Sequence, residues 1–142
     1  LKFDFAGKPV TFAGRLTGVD LASAYAAFDA FVHFGTEETF GQTIQEAQAS
    51  GLPLVAPNSG GPMFLVEHGH TGYLAHPTKK HAFTPFVKEL LADDTLRAQI
   101  GEQARRSVLK KSWEANNAKL LDYYARAIEL NALKKAKSLE LA

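Results

Sequence analysis

The period of the hydrophobic pattern changes several times along this chain, and the changes mark its elements. Short apolar runs, Val10–Ala13, Ala30–Phe34, Leu52–Ala56 and Gly72–Ala75, have the length and residue types of strands. Between them lie stretches with helical spacing. Asp20–Phe28 places Leu21, Ala24, Tyr25 and Phe28 on one face, and Gln42–Ser50 is a helical pattern of small residues. Pro62 suits the first position of a further helix over Met63–Glu67. Strands alternating with helices in this way predict a parallel sheet with helices covering it. Beyond Ala75 the pattern is helical only. Ala82, Phe83, Phe86, Val87, Leu90 and Leu91 form one stripe, with Pro85 either near the helix start or bending the helix. Asp94 is expected to cap a helix carrying Leu96, Ile100, Ala104 and Val108 to about Lys111, and Ser112 to cap a last one with Leu120, Leu121, Tyr124 and Ile128 on one face. The expected fold is α/β: a partial Rossmann-like parallel sheet with covering helices over residues 1–111, then a C-terminal helix over 112–142.

Composition narrows the function classes. With 142 residues, 46% hydrophobic and 22% charged, the chain can build one real core. A net charge of +1 gives no reason to expect nucleic acid as a partner. Without cysteine there is no disulfide framework and no thiol chemistry. No apolar run approaches the ~20 residues of a spanning helix and nothing at the start reads as a signal peptide, so a cytoplasmic protein is expected. Lys134, Lys135 and Lys137 fall near the end of the last helix, where cations suit the dipole; a solvated helix end is preferred over a membrane patch. His33, His68, His70, His76 and His81 lack the spacing of a metal site, and no D-x-D element is present, so no metal is expected. Ser59-Gly60 lacks the flanking pattern of a nucleophile elbow.

Candidate chemistry concentrates after the strand at Ala30–Phe34, in Phe34-Gly35-Thr36-Glu37-Glu38-Thr39-Phe40-Gly41, just before the helix at Gln42. Ligands of open α/β sheets bind outside the carboxyl ends of strands. Gly41 lets the backbone approach a ligand, and the N–H groups of Gln42, Thr43 and Ile44 at the helix start make an anion site. Glu38 lies before that helix and Glu46 within it, roughly 7 Å along the axis from Gly41. Carboxylates accept hydrogen bonds from hydroxyls, and the helix start between them favours phosphate. A ligand with hydroxyls, phosphate and further hydroxyls is a nucleotide sugar. The plainer alternative is that these acids offset a helix dipole, although Glu46 sits in the second turn, where that effect has largely faded. The turn Pro57-Asn58-Ser59-Gly60-Gly61-Pro62 is open to two readings, a phosphate contact or a tight turn.

Glu38 and Glu46 form an E-x7-E pattern within Glu38-Thr39-Phe40-Gly41 … Gln45-Glu46-Ala47 … Ala49-Ser50-Gly51-Leu52-Pro53-Leu54-Val55-Ala56 … Gly60-Gly61-Pro62. This string resembles the donor-binding domain of retaining glycosyltransferases of family four, which have the two-domain GT-B fold. The wording His33-Phe34-Gly35-Thr36 and Gln42-Thr43-Ile44-Gln45-Glu46-Ala47-Gln48-Ala49-Ser50-Gly51 is most similar to the bacterial GDP-mannose-dependent α-mannosyltransferases that act on lipid acceptors. The resemblance runs from about Val10 to about Tyr124.

The resemblance implies a role for each matching residue. Glu38 is the catalytic residue, facing the sugar hydroxyls of the donor; Phe40 and Gly41 approach the sugar by backbone; Thr43 with Ile44 offers amides to the diphosphate; Glu46 holds the ribose hydroxyls. Gly60, Gly61 or Met63 touches the donor from the glycine loop. The implied ligand is a nucleotide sugar, GDP-mannose above others, with no cofactor and no metal. The resemblance also implies a Gly-Arg motif and a downstream Lys-Gly, whose cations clamp the diphosphate, and an acceptor-binding domain ahead of them. Gly14-Arg15-Leu16 mimics the first motif, but its flanks match the later strand-helix unit. The chain is therefore expected to be about the last third of an enzyme, partnered in its parent by the acceptor domain, peripheral to the inner membrane face there, and inactive alone. A non-catalytic nucleotide-sugar-binding or interaction module is the alternative. An incomplete sheet would also leave an edge open to self-association.

Overall fold

The structure is a computed structural model, and it describes Phe5 and residues 7–140, with the side chains of 135–140 excluded. Its centre is a three-stranded, all-parallel sheet of β1 (Phe31–Val32), β2 (Leu54–Pro57) and β3 (Tyr73–Ala75), in that order across the sheet. Phe31 pairs with Leu54 and Val55 with Tyr73. Among the described residues the helices are α1 (Gly18–Ala26), α2 (Gln42–Ala49), α3 (Pro62–Leu65), α4 (Thr84–Ala92), α5 (Asp94–Leu109) and α6 (Trp113–Glu140).

Strand β2 is buried along its whole length because it feeds two cores. Side chains alternate along a strand, so Leu54 and Ala56 join Ile44 of α2 and Val66, while Val55 joins Tyr73, Leu90 of α4 and Ile100 of α5. A run with no polar alternation is what a sheet covered on both faces requires. On the first side, Tyr25 of α1 packs with Ala47 and Leu52. Helix α5 also closes on the end of α2: a Cβ on Gly101 would run into the carbonyl oxygen of Gly51, and an Arg105 guanidinium nitrogen donates to the carbonyl of Ala49.

The expected α/β class and the order of elements from α1 to α6 are present, with three differences. Val10–Ala13 forms no strand: Val10 and Phe12 are exposed and the Phe12 ring packs edge-on against Phe5, 6.1 Å away. With only two residues in the β1 ladder, the sheet edge offers those residues little to pair with. Asp93 rather than Asp94 caps α5, its carboxylate accepting the Leu96 amide at 2.9 Å. The Ser112 hydroxyl does accept the Ala115 amide at the start of α6, but the apolar face of that helix is uncovered, with Leu120, Leu121, Tyr124 and Ile128 all exposed. Periodicity foretold an amphipathic helix; nothing among the described residues packs over that face. Of the three lysines near its end, Lys134 is exposed, and the side chains of Lys135 and Lys137 lie outside the described residues.

Candidate functional site

The loop from Phe34 to Gly41 leaves the carboxyl end of β1 and returns the chain into α2. Gly41 makes this return possible. It takes φ 67 and ψ 40 as the residue before the helix, and a Cβ there would strike the Leu65 side chain. Its amide does not face outward: it donates to Glu38 Oε1 at 2.8 Å. That bond, with help from the Phe40 and Thr39 amides and the nearby His33 ring and against some desolvation, holds the Glu38 carboxyl below the usual glutamate range. Glu38 is therefore set at the mouth of α2 by its own loop. No side chain caps α2, so the amides of its first turn are without a side-chain partner. The side chain of Ile44 is fully buried in the core, which leaves only its backbone for a ligand, and Thr43 is exposed.

Glu46 is half-buried and held by neighbours on two elements. Tyr25 of α1 donates its hydroxyl to Oε2 at 3.2 Å, and Gln42, one turn earlier on α2, donates Nε2 to Oε1 at 3.2 Å. Burial, then the charge and hydrogen bond of Glu46, raise the Tyr25 phenol above its ordinary value, so it remains a donor. Among the described residues neither Glu38 nor Glu46 forms an ion pair. Glu46 borders two openings. One, about 420 Å³, lies between α2 and the start of α6 and is lined by Phe40, Gln42, Gln45 and Trp113 among others. The second, about 370 Å³, lies against α1 and includes Leu21, Tyr25 and Ser50. Glu38 lines neither. Phe40 presents an exposed ring, and its carbonyl accepts from Gln45 Nε2 at 3.0 Å.

The glycine turn after β2 packs directly on the Glu38 loop. The Gly61 amide donates to the Glu38 carbonyl at 2.8 Å, and a Cβ on Gly60 would come within 2.8 Å of the Thr36 carbonyl oxygen. The Gly61 amide is thus committed inside the protein, and the close fit of two loops accounts for both glycines. Met63, in the first turn of α3, is half-exposed and lines a separate groove with Phe64, Glu67 and Lys111. Among the described residues no three His, Asp or Glu side chains gather as metal ligands, and no helix is long and apolar enough to cross a membrane.

Tyr25 and His33 were not singled out from the sequence as contributors, and Gln42 was expected to contribute its backbone amide rather than its side chain. Tyr25 reads there as one apolar position among four, although a buried phenol needs a hydrogen-bond partner and that requirement was a usable signal. The Gln42 side chain lies one turn from Glu46, a spacing that pairs side chains on a helix. His33, at the end of β1, had no such signal; its ring sits against Gly35, with Nε2 buried and unpartnered.

The chain matches known proteins in sequence and in fold. Residues 5–107 match the model of the family described as glycosyl transferases group 1. The chain belongs to that family. This group 1 chain is 42% identical, over 120 residues, to the GDP-mannose-dependent alpha-mannosyltransferase of Corynebacterium glutamicum, covering 84% of the chain and 29% of the relative. Its fold overlays on sucrose-phosphate synthase from Thermosynechococcus elongatus with TM-score 0.77 and 28% identity, covering 91% of this chain and 32% of that one. It overlays on Anabaena HepE in complex with UDP and glucose with TM-score 0.75 and 28% identity, covering 88% and 34%. The chain thus spans roughly a third or less of the length of these proteins.

Proposed function

We propose that this group 1 chain supplies part of the donor-nucleotide-sugar-binding domain of a retaining hexosyltransferase, with GDP-mannose as donor and a lipid or glycan as acceptor. Residues 1–111 carry the donor pocket and 112–142 the C-terminal helix. Glu38 faces the sugar, the first-turn amides of α2 take the diphosphate, and Glu46 takes the ribose. In the transfer, the bond between the sugar C1 and the β-phosphate oxygen breaks, and the acceptor oxygen bonds to C1 on the same face. The acceptor proton passes to the departing diphosphate. Catalysis of this kind rests on stabilising the leaving diphosphate, and amides fixed before the reaction do so without reorganising.

One observation carries the reading: two carboxylates, neither neutralised by an ion pair among the described residues, are both tied to residues at the start of one helix whose amides have no side-chain cap. The mannosyltransferase named among the relatives and the UDP and glucose named with HepE support the ligand class. Gly14-Arg15 has the flanks of the later strand-helix unit and no Lys-Gly follows it, so the cationic clamp that the family resemblance implies has no counterpart in this sequence, and the chain alone is expected to bind donor weakly and not to turn over. Titration of GDP, GDP-mannose and UDP-glucose against the chain, followed by amide chemical shifts, tests the proposal. Shifts centred on residues 38–46 that vanish in Glu46→Ala support it; silence with all three leaves a scaffold or interaction module.

A further inference from the structure

The two hydrogen bonds on Glu46 determine which of its acceptor sites remain. A carboxylate offers about four lone-pair positions, two on each oxygen. Tyr25 takes one on Oε2 and Gln42 takes one on Oε1. Among the described residues one position is left on each oxygen, a number that two hydroxyls on neighbouring carbons would use in full. A single hydroxyl would leave half of it unused.

Tyr25 is suited to fixing this arrangement. It is 7% exposed, and its ring is wedged edge-on against Phe28 at 6.3 Å and tilted against Phe31 of β1 at 5.8 Å. The hydroxyl therefore projects from a packed base rather than a free side chain, and among the described residues only the Thr43 carbonyl, 3.5 Å away, competes for its proton. Gln42 is exposed and can turn away. Of the two groups holding Glu46, the rigid one comes from another helix.

We propose that Tyr25 is a positioning residue that gives this site its selectivity for a vicinal diol, the ribose of a nucleoside diphosphate, over a sugar lacking those hydroxyls. The phenol orients the carboxylate so that both remaining acceptor positions face one ligand. This rests on the donor-site reading above, and the experiment separates the two.

The intact chain is titrated with GDP and with 2′,3′-dideoxy-GDP, for the unsubstituted protein, Tyr25→Phe and Tyr124→Phe, the last an exposed tyrosine on α6. The unsubstituted protein and Tyr124→Phe are expected to prefer GDP by about tenfold, and Tyr25→Phe by less than about threefold. A Tyr25→Phe protein that keeps the full preference overturns the role of Tyr25 while leaving the donor site standing. An unsubstituted protein that binds neither nucleotide overturns both. A second measurement needs no variant: the Tyr25 ζ-carbon resonance is expected to shift with GDP and to move much less with the dideoxy compound. Equal shifts with the two nucleotides, or no shift with GDP, overturn the proposal.

Discussion

The Glu38 carboxylate accepts the backbone amide of Gly41 at 2.8 Å, closing the loop between β1 and α2 on itself. The same amide is the largest cause of the lowered Glu38 pKa. A carboxyl with a depressed pKa in the folded state adds stability above its unfolded value and loses it as pH falls through the folded value. Stability is therefore expected to decline on acidification below the ordinary glutamate value of 4.5. Urea unfolding between pH 7 and pH 3 should show a shallower acid limb in Glu38→Gln than in the unsubstituted chain. Identical limbs would detach the carboxylate from the loop.

Gly41→Ala should be destabilising by about 1–3 kcal/mol, because it places a side chain at positive φ and against Leu65. The midpoint of urea unfolding reads this directly. The same protein should show altered amide shifts at Glu38 and Gln42, since the loop closure and the helix start share that residue.

Tyr73 of β3 donates its hydroxyl to Glu89 of α4 at 2.9 Å, and burial first, then the Glu89 bond and charge, push its pKa up to about 12 from 10.0. The raised value means that the unfolded chain gives up this proton first, so stability is full below pH 10 and falls as pH rises toward about 12. In Tyr73→Phe this alkaline loss should be reduced. Absorbance titration of phenolate should also lose its latest-titrating component in that variant.

Gly101→Ala should cost about 1–3 kcal/mol, as overpacking in a close helix contact does, because the new methyl meets the Gly51 backbone rather than a yielding side chain. The effect should show as a lower thermal midpoint. Gly101→Ser should be worse, and an alanine at exposed Gly69, where nothing lies near the Cβ position, should escape the packing penalty and keep only the strain of its positive φ.

What the sequence disclosed depended on the range of the interaction. Pro62, Pro85 and Ser112 act on their own helix starts, and their positions were legible from local chemistry. Asp93 and Asp94 are chemically equivalent neighbours, so choosing the capping residue between them needed the backbone angles that the structure provides. Val10–Ala13 has strand residues but lacks a strand, because pairing is decided by a partner edge and β1 is too short to offer one. Glu38 and Glu46 stood out through their spacing, whereas the partners that hold them came from elsewhere. Tyr25 is 21 residues from Glu46, and no periodicity links a phenol on one helix to a carboxylate on the next. The fit of Gly61 beneath the Glu38 carbonyl belongs to the same class, since it arises only when β1 and β2 lie side by side.

That last contact has a mechanical result. The turn leaving the middle strand and the acidic loop leaving its neighbour are joined backbone to backbone, so they must shift as one piece. A bulky residue at Gly60 or Gly61 would displace the first carboxylate without touching it, and a molecule pressing on that acid would be felt at the root of α3.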